Sequence, residues 1–218
     1  MGKSRFLIVL LAALSVMGFT SCGKREIADN LDETVFTIGD EKIDLREAMY
    51  YVMERESFYN SAALQNYPDN PEKYWEDYLF AAGTLFRTWV KSQAFDICVC
   101  DNIYYQEAEA DGYELELSDQ ITAYDEAESL YGNMTDKQKE NTGLTVDSLY
   151  NVMLKIKYRS KYVEELLKGE KIKAYGDNPQ QALEMGGAYY NELLMKYDVS
   201  IDEDSMWSEL EFGKLTIN

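Results

Sequence analysis

The strongest constraint on how this chain can fold is the stretch from Pro71 to Asp111, where apolar side chains recur at helical spacing before Gly112 supplies a stop. Asn70 is a helix-capping residue type, and Pro71 suits a first helical position because the missing N–H would have had no partner there. Trp75, Tyr78, Leu79, Ala82, Leu85, Phe86, Trp89, Phe95 and Ile97 carry the apolar pattern. A continuous helix of about forty residues would run roughly 60 Å, too long for a tight globule. The pattern therefore predicts either a kink near Gly83 or an elongated molecule.

Other elements fall around this one. Val35, Phe36 and Ile38, then Lys42 with Ile43, predict two short strands about a Gly39–Asp40 turn. Asp44 caps a helix, with Glu47 at capping-box spacing and Leu45, Ala48, Met49 and Val52 on its apolar face. That helix is expected to fade between Asn60 and Asn66. Ser118 opens a third helix through Tyr131, a helical turn is expected from Thr135 to Glu140, and Thr145 caps a fourth helix with its stripe from Leu149 to Leu167. Lys155, Lys157, Arg159 and Lys161 concentrate positive charge in that helix and are expected to answer carboxylates on a neighbour. Pro179 to Tyr197 reads as a fifth helix, Val199–Ile201 as a short strand, and Glu203 to Leu210 as a final helical turn. The expected class is mostly α: about five helices, one of them long, with a very small β-sheet.

The chain starts with Lys3 and Arg5, an apolar run from Phe6 to Phe19, and then Thr20, Ser21 and Cys22. This is the three-part pattern of a secretory signal, and the apolar run is shorter than the roughly 20 residues that span a bilayer. Small residues directly before a cysteine resemble a lipobox. The expectation is a signal peptide over residues 1–21, lipidation of Cys22, a polar tether over 22–33, and one domain over 34–218. With the signal removed, the net charge of −19 becomes −21, since Lys3 and Arg5 leave with it. So acidic a chain argues against nucleic-acid binding, and it leaves the lipid rather than a basic patch to hold the protein at the extracytoplasmic face of the membrane.

The chain contains no histidine, which excludes Ser-His-Asp and Cys-His catalysis and histidine-bound metals. Cys98 and Cys100 flank Val99 in a helical pattern, where side chains two apart point to different faces, so they read as half-buried packing residues. Asp198, Ser200, Asp202, Asp204 and Glu209 match the spacing of a calcium loop, but Glu203 stands where its sharp turn needs glycine. They read instead as an acidic strand-to-helix connection; no metal or other cofactor is expected. The remaining chemical signal is aromatic: Tyr50, Tyr51 and Phe58 on the first helix, with Trp75, Tyr78, Phe86 and Trp89 on the second, are the candidates for an exposed surface that binds apolar segments.

The order of these segments resembles the chaperone domain of the SurA/PrsA family of extracytoplasmic foldases and holdases. The likeness is carried by VFTIGDEKIDLREAMYYV from Val35 to Val52, QEAEADGYELELSDQI from Gln106 to Ile121, and GLTVDSLYNVMLKIKYRSKYVEELL from Gly143 to Leu167. The resemblance implies that the late strand at Val199–Ile201 returns to pair with the first strands. It further implies an ATP-independent chaperone whose partners are unfolded or nascent exported polypeptides. Only about 50 residues follow Leu167 and histidine is absent, so the parvulin-type isomerase domain of many family members has no counterpart, and no enzyme activity is expected. The alternative is a lipoprotein that captures one ligand or partner on the same helical scaffold.

Overall fold

The structure, a computed structural model, describes residues 25–216; the expected signal peptide and Cys22 lie outside the described residues. Strand β1 (Thr34–Ile38) pairs antiparallel with β2 (Glu41–Asp44) around the expected turn. A register shift between Thr34 and Phe36 lets the adjacent Val35 and Phe36 both reach the interior, where strict alternation would have turned one outward. Gly39 in the turn has φ +60°, and a Cβ there would stand 2.6 Å from the Tyr197 ring, so no other residue fits.

Asp44 accepts a hydrogen bond from the Glu47 N–H and starts α1 (Leu45–Asn66), which ends at the last residue of the stretch where it was expected to fade. The Glu47 carboxylate does not close the capping box. It turns inward to Lys155 and to Asn102 instead. The long helix expected from Pro71 breaks into three pieces: a 3-10 turn (Pro71–Glu76), a hairpin of β3 (Tyr78–Leu79) with β4 (Thr84–Leu85), and α2 (Phe86–Ala110). The break falls where Gly83 takes φ +68° and donates its N–H to the Leu79 carbonyl, closing the hairpin loop. Folding that segment back brings Trp75 against Phe86, with ring centroids 5.5 Å apart, so apolar residues that would have dispersed along a rod share one core.

From Cys98 to Tyr104 every residue of α2 is buried, because other elements surround the helix on all sides. The expectation of half-buried cysteines is corrected accordingly: Cys98 and Cys100 are both fully buried and free, and burial pushes the Cys100 thiol up to about 12. Helix α3 (Leu117–Asn133) buries only Ala123 and Ala127, and these small residues sit where it meets α5 (Val146–Lys168). Between them α4 (Asp136–Thr142) is capped by Thr135 and ends on Gly143 in the left-handed conformation. The basic stripe of α5 finds carboxylates as expected: Lys155 pairs with Glu47, Lys157 with Glu126, Arg159 with Asp101 and Lys161 with Asp119.

After α6 (Glu170–Lys173), the expected fifth helix is instead two, α7 (Pro179–Leu183) and α8 (Ala188–Lys196). Gly186, at φ +82°, and Gly187, packed against the Gln181 and Ala182 carbonyls, turn the chain between them. Strand β5 (Val199–Ile201) then pairs antiparallel with β1, so the sheet has the order β2-β1-β5 and unites the N-terminal and C-terminal strands. The mostly α class with a small sheet is what the structure has, with more helices than five. The sequence proposed as an acidic connection forms β5 and the turn into α9 (Met206–Glu209).

The chain from Leu210 to Thr216 is a strap over α1 and the 3-10 turn. Glu56 on α1, fully buried, accepts hydrogen bonds from the N–H groups of Gly213, Leu215 and Thr216 and from the Thr216 hydroxyl. Lys91 donates to the Ser208 and Leu210 carbonyls at 3.2 Å, and burial lowers its pKa from 10.5 to about 8. The unfolded chain thus holds this proton at pH values where the folded protein has lost it, and stability gains from Lys91 as pH rises between those two values. Denaturant titrations from pH 8 upward are expected to show that gain in the wild type and its loss in Lys91→Met; equal slopes would contradict it.

Candidate functional site

The seven aromatic candidates separate by burial. Tyr51, Trp75 and Phe86 are buried, which corrects the expectation that they belong to a client surface. Tyr51 is held inside by donating its hydroxyl to Asp101, while Trp75 and Phe86 lie in an edge-to-face cluster with Tyr59 and Tyr74. Gly213 of the strap passes so close that a Cβ there would lie 2.2 Å from the Trp75 ring. Trp89 is half-buried beside the same cluster. Tyr50, like Trp89, is partly in contact with water, and Phe58 and Tyr78 are largely so, Phe58 most of all at 63% exposure.

Tyr50 and Phe58 line one groove, of about 470 Å3, with Met53, Leu130 and Met134. It lies between α1, α3 and α4, above a small satellite core that contains Met53, Ala123, Ala127, Met134, Leu144, Leu149 and Met153. Glu54, Ser57, Asn133 and Gln138 form its polar rim. Arg55 lies over the Phe58 ring at 4.8 Å and also bonds to Glu54, which steadies Phe58 at the mouth. An unbranched thioether adapts its shape to whatever packs on it, so this lining can accept varied apolar side chains.

A second groove, of about 580 Å3, runs between α2 and α8, with Phe95, Ile97, Met185, Tyr190, Leu194 and Val199 on its walls. Two further apolar patches face water. Leu117, Ile121 and Tyr124 repeat at i, i+4 and i+7 on the outer side of α3, and Tyr78 with Phe80 crown the β3–β4 hairpin, where Phe80 is 90% exposed. None of Phe80, Met185, Leu117 or Ile121 stands among the aromatic candidates from the sequence. Periodicity gave no means of finding them, because it identifies an apolar face without saying whether a neighbour covers it.

Among the described residues no cluster of potential ligands could hold a metal ion. The buried charges are engaged in packing: Lys155 bridges Glu47 and Asn102, Arg159 meets Asp101, and Glu107 accepts from Lys196 and Tyr197. The segment Arg25–Glu33, the downstream part of the expected tether, is folded onto the domain. Arg25 bonds to Asn30, Glu33 and the Asp204 carbonyl, and the Leu31 and Glu33 carbonyls accept from Arg46 and Leu45. No helix among the described residues is long and apolar enough to cross a membrane.

No protein-family model, curated protein or solved structure matches this chain. The functional reading rests on these grooves and patches.

Proposed function

We propose that this protein is an ATP-independent holdase for unfolded exported polypeptides, held at the extracytoplasmic face of the membrane by a lipid on Cys22. The observation that carries the reading is the open groove in which Phe58 and Tyr50 stand beside Met53, Leu130 and Met134. Adaptable thioethers next to an exposed ring suit apolar segments of unrelated sequence. The patches at Tyr78 and Phe80, along α3, and beside α8 would add weak contacts over a wide area. A net charge of −21 once Lys3 and Arg5 leave with the signal keeps such a complex soluble while its apolar grooves are filled.

The purified protein is expected to suppress aggregation of several chemically unfolded clients at near-stoichiometric ratios, followed by light scattering. Phe58→Glu should weaken suppression roughly threefold or more, yet leave thermal stability within about 1 kcal/mol, because the side chain is largely exposed. Absence of suppression across the clients would overturn the reading.

Cys22 precedes Arg25 by three residues, a reach of about 10 Å. A lipid there would set the face around α9, to which Arg25 is bonded, toward the membrane. Cys22→Ala is expected to release a folded protein into the soluble fraction. If that variant stays with membranes after salt washing, the lipid anchor is wrong.

A further inference from the structure

We propose that the outer edge of β5, with the groove beside it, docks an extended basic segment of a partner polypeptide, which joins the sheet as an added strand. This deepens the polypeptide-binding reading above and rests on it. The ladder to β1 decides which backbone groups are free. Gly39 donates to the Asp198 carbonyl, Asp202 donates to the Val35 carbonyl, and Ser200 lies opposite Thr37. In an antiparallel pair alternate residues bond inward. Asp198, Ser200 and Asp202 therefore face β1, and the N–H and C=O groups of Val199 and Ile201 point away from it. Among the described residues no strand lies beyond β5.

The two edges of this sheet are unlike. On β2 the exposed Lys42 is the kind of charge that discourages strand addition, whereas Val-Ser-Ile on β5 has no lysine and no proline. Val199 and Ile201 lie opposite Ile38 and Phe36, and Val199 lines the groove between α2 and α8. An added strand would project every second side chain toward the same face. Its apolar residues would then meet Met185, Leu194 and Phe95 in about 580 Å3 of open space.

Charge selects the occupant. Asp96 lines this groove without a hydrogen bond or ion pair among the described residues, and partial burial raises its pKa. Arg55, the cation in the same groove, is already engaged with Glu54 and Phe58. Asp198, Asp202, Glu203 and Asp204, all exposed, flank the strand. A lysine or arginine on the incoming segment relieves an uncompensated carboxylate; a glutamate adds repulsion. A second copy of this chain brings a net charge of −19 to the same surface and is disfavoured.

The probe is a fluorescein-labelled, end-blocked heptapeptide that alternates valine with threonine around a central lysine, titrated into the purified protein by anisotropy. Saturable binding is expected, at least about tenfold tighter than for the same peptide with a central glutamate. Asp96→Asn should weaken the lysine peptide about fivefold. Ile201→Pro removes an outward N–H without losing a ladder bond, and it should reduce binding about tenfold or more. Amide exchange should slow at Val199 and Ile201 when peptide is present. If Ile201→Pro fails to fold, Asp96→Asn and the exchange data decide.

No saturable binding, or binding indifferent to Asp96→Asn and without protection at β5, overturns the proposal. Protection at Val199 and Ile201 that grows with protein concentration in the absence of peptide assigns the edge to a second copy, and also overturns it. Loss of peptide binding with aggregation suppression intact removes this site and leaves the holdase reading standing.

Discussion

Replacing Glu56 with alanine is expected to destabilise the protein by about 3–5 kcal/mol, a large share of the total stability of a single domain. The carboxylate is fully buried and is the shared acceptor for three backbone N–H groups and one hydroxyl of the strap from Gly213 to Thr216. Its removal leaves those donors unpaired away from water, and each orphaned donor costs on the order of 1 kcal/mol or more. Thermal unfolding should fall by about 10 °C for a chain of this size. Amide exchange at Gly213 and Thr216 should rise by more than exchange in α2, since the strap loses its latch while the central helix keeps its packing. A fall in melting temperature without selective loosening of residues 213–216 would show that Glu56 supports α1 rather than the strap. Release of the strap also uncovers Trp75, so an increase in apolar dye binding by Glu56→Ala is the accompanying sign.

Asp101→Ala is the second large effect, at about 3 kcal/mol. Asp101 accepts from Arg159 at 2.8 Å and from the buried Tyr51 hydroxyl at 3.1 Å, and so ties α2 to both α5 and α1. The variant leaves the Tyr51 hydroxyl without its acceptor in the core, while Arg159, 32% exposed, can turn part of its charge to water and keeps the cost near the lower end. Burial raises the pKa of Asp101 above its ordinary 3.8, against the opposing pull of Arg159 and Tyr51. The folded protein therefore holds this proton at pH values where the unfolded chain has released it. The group's contribution to stability is fully present below pH 3.8 and declines as pH rises through its folded pKa. Chemical denaturation from pH 4 to 7 should show the advantage of wild type over Asp101→Asn shrinking as pH rises. An advantage that grows with pH would mean that Arg159 outweighs burial.

Local chemistry was legible where one residue type does one job nearby. Thr145 caps α5 as its spacing predicts, accepting from Ser148, and the helical turn expected from Thr135 to Glu140 is there as α4, although its Thr135–Gln138 capping box was not read from the sequence. The four cations on α5 were also legible as seekers of carboxylates, although their partners proved to come from three helices rather than one. Misreadings arose where tertiary contacts compete with a local pattern. Glu47 has the spacing of a capping box, but a lysine and an asparagine in the interior offer its carboxylate more than one backbone N–H can. Between Pro71 and Phe86 the apolar spacing is real, yet Gly83 allows the chain to reverse and bury Trp75 at 1% exposure, which a straight helix could not do. The aromatic candidates divide for the same reason: Tyr51 and Phe58 lie on one helix, and only the packing of α2 determines that Tyr51 is covered while Phe58 is not.

The sequence by itself determined the class, the strand turn at Gly39, the capped starts of α1 and α5, and the acidity that bears on every partner. These depend on spacing and residue type over a few positions, where backbone sterics and nearby hydrogen bonds dominate. Tertiary structure alone decided that α2 is buried on every side from Cys98 to Tyr104, that Glu56 latches the strap, and that the apolar surface left in water lies at Phe58, Phe80, α3 and the margin of β5. Burial is a property of what arrives from elsewhere in the chain, and no local pattern records it.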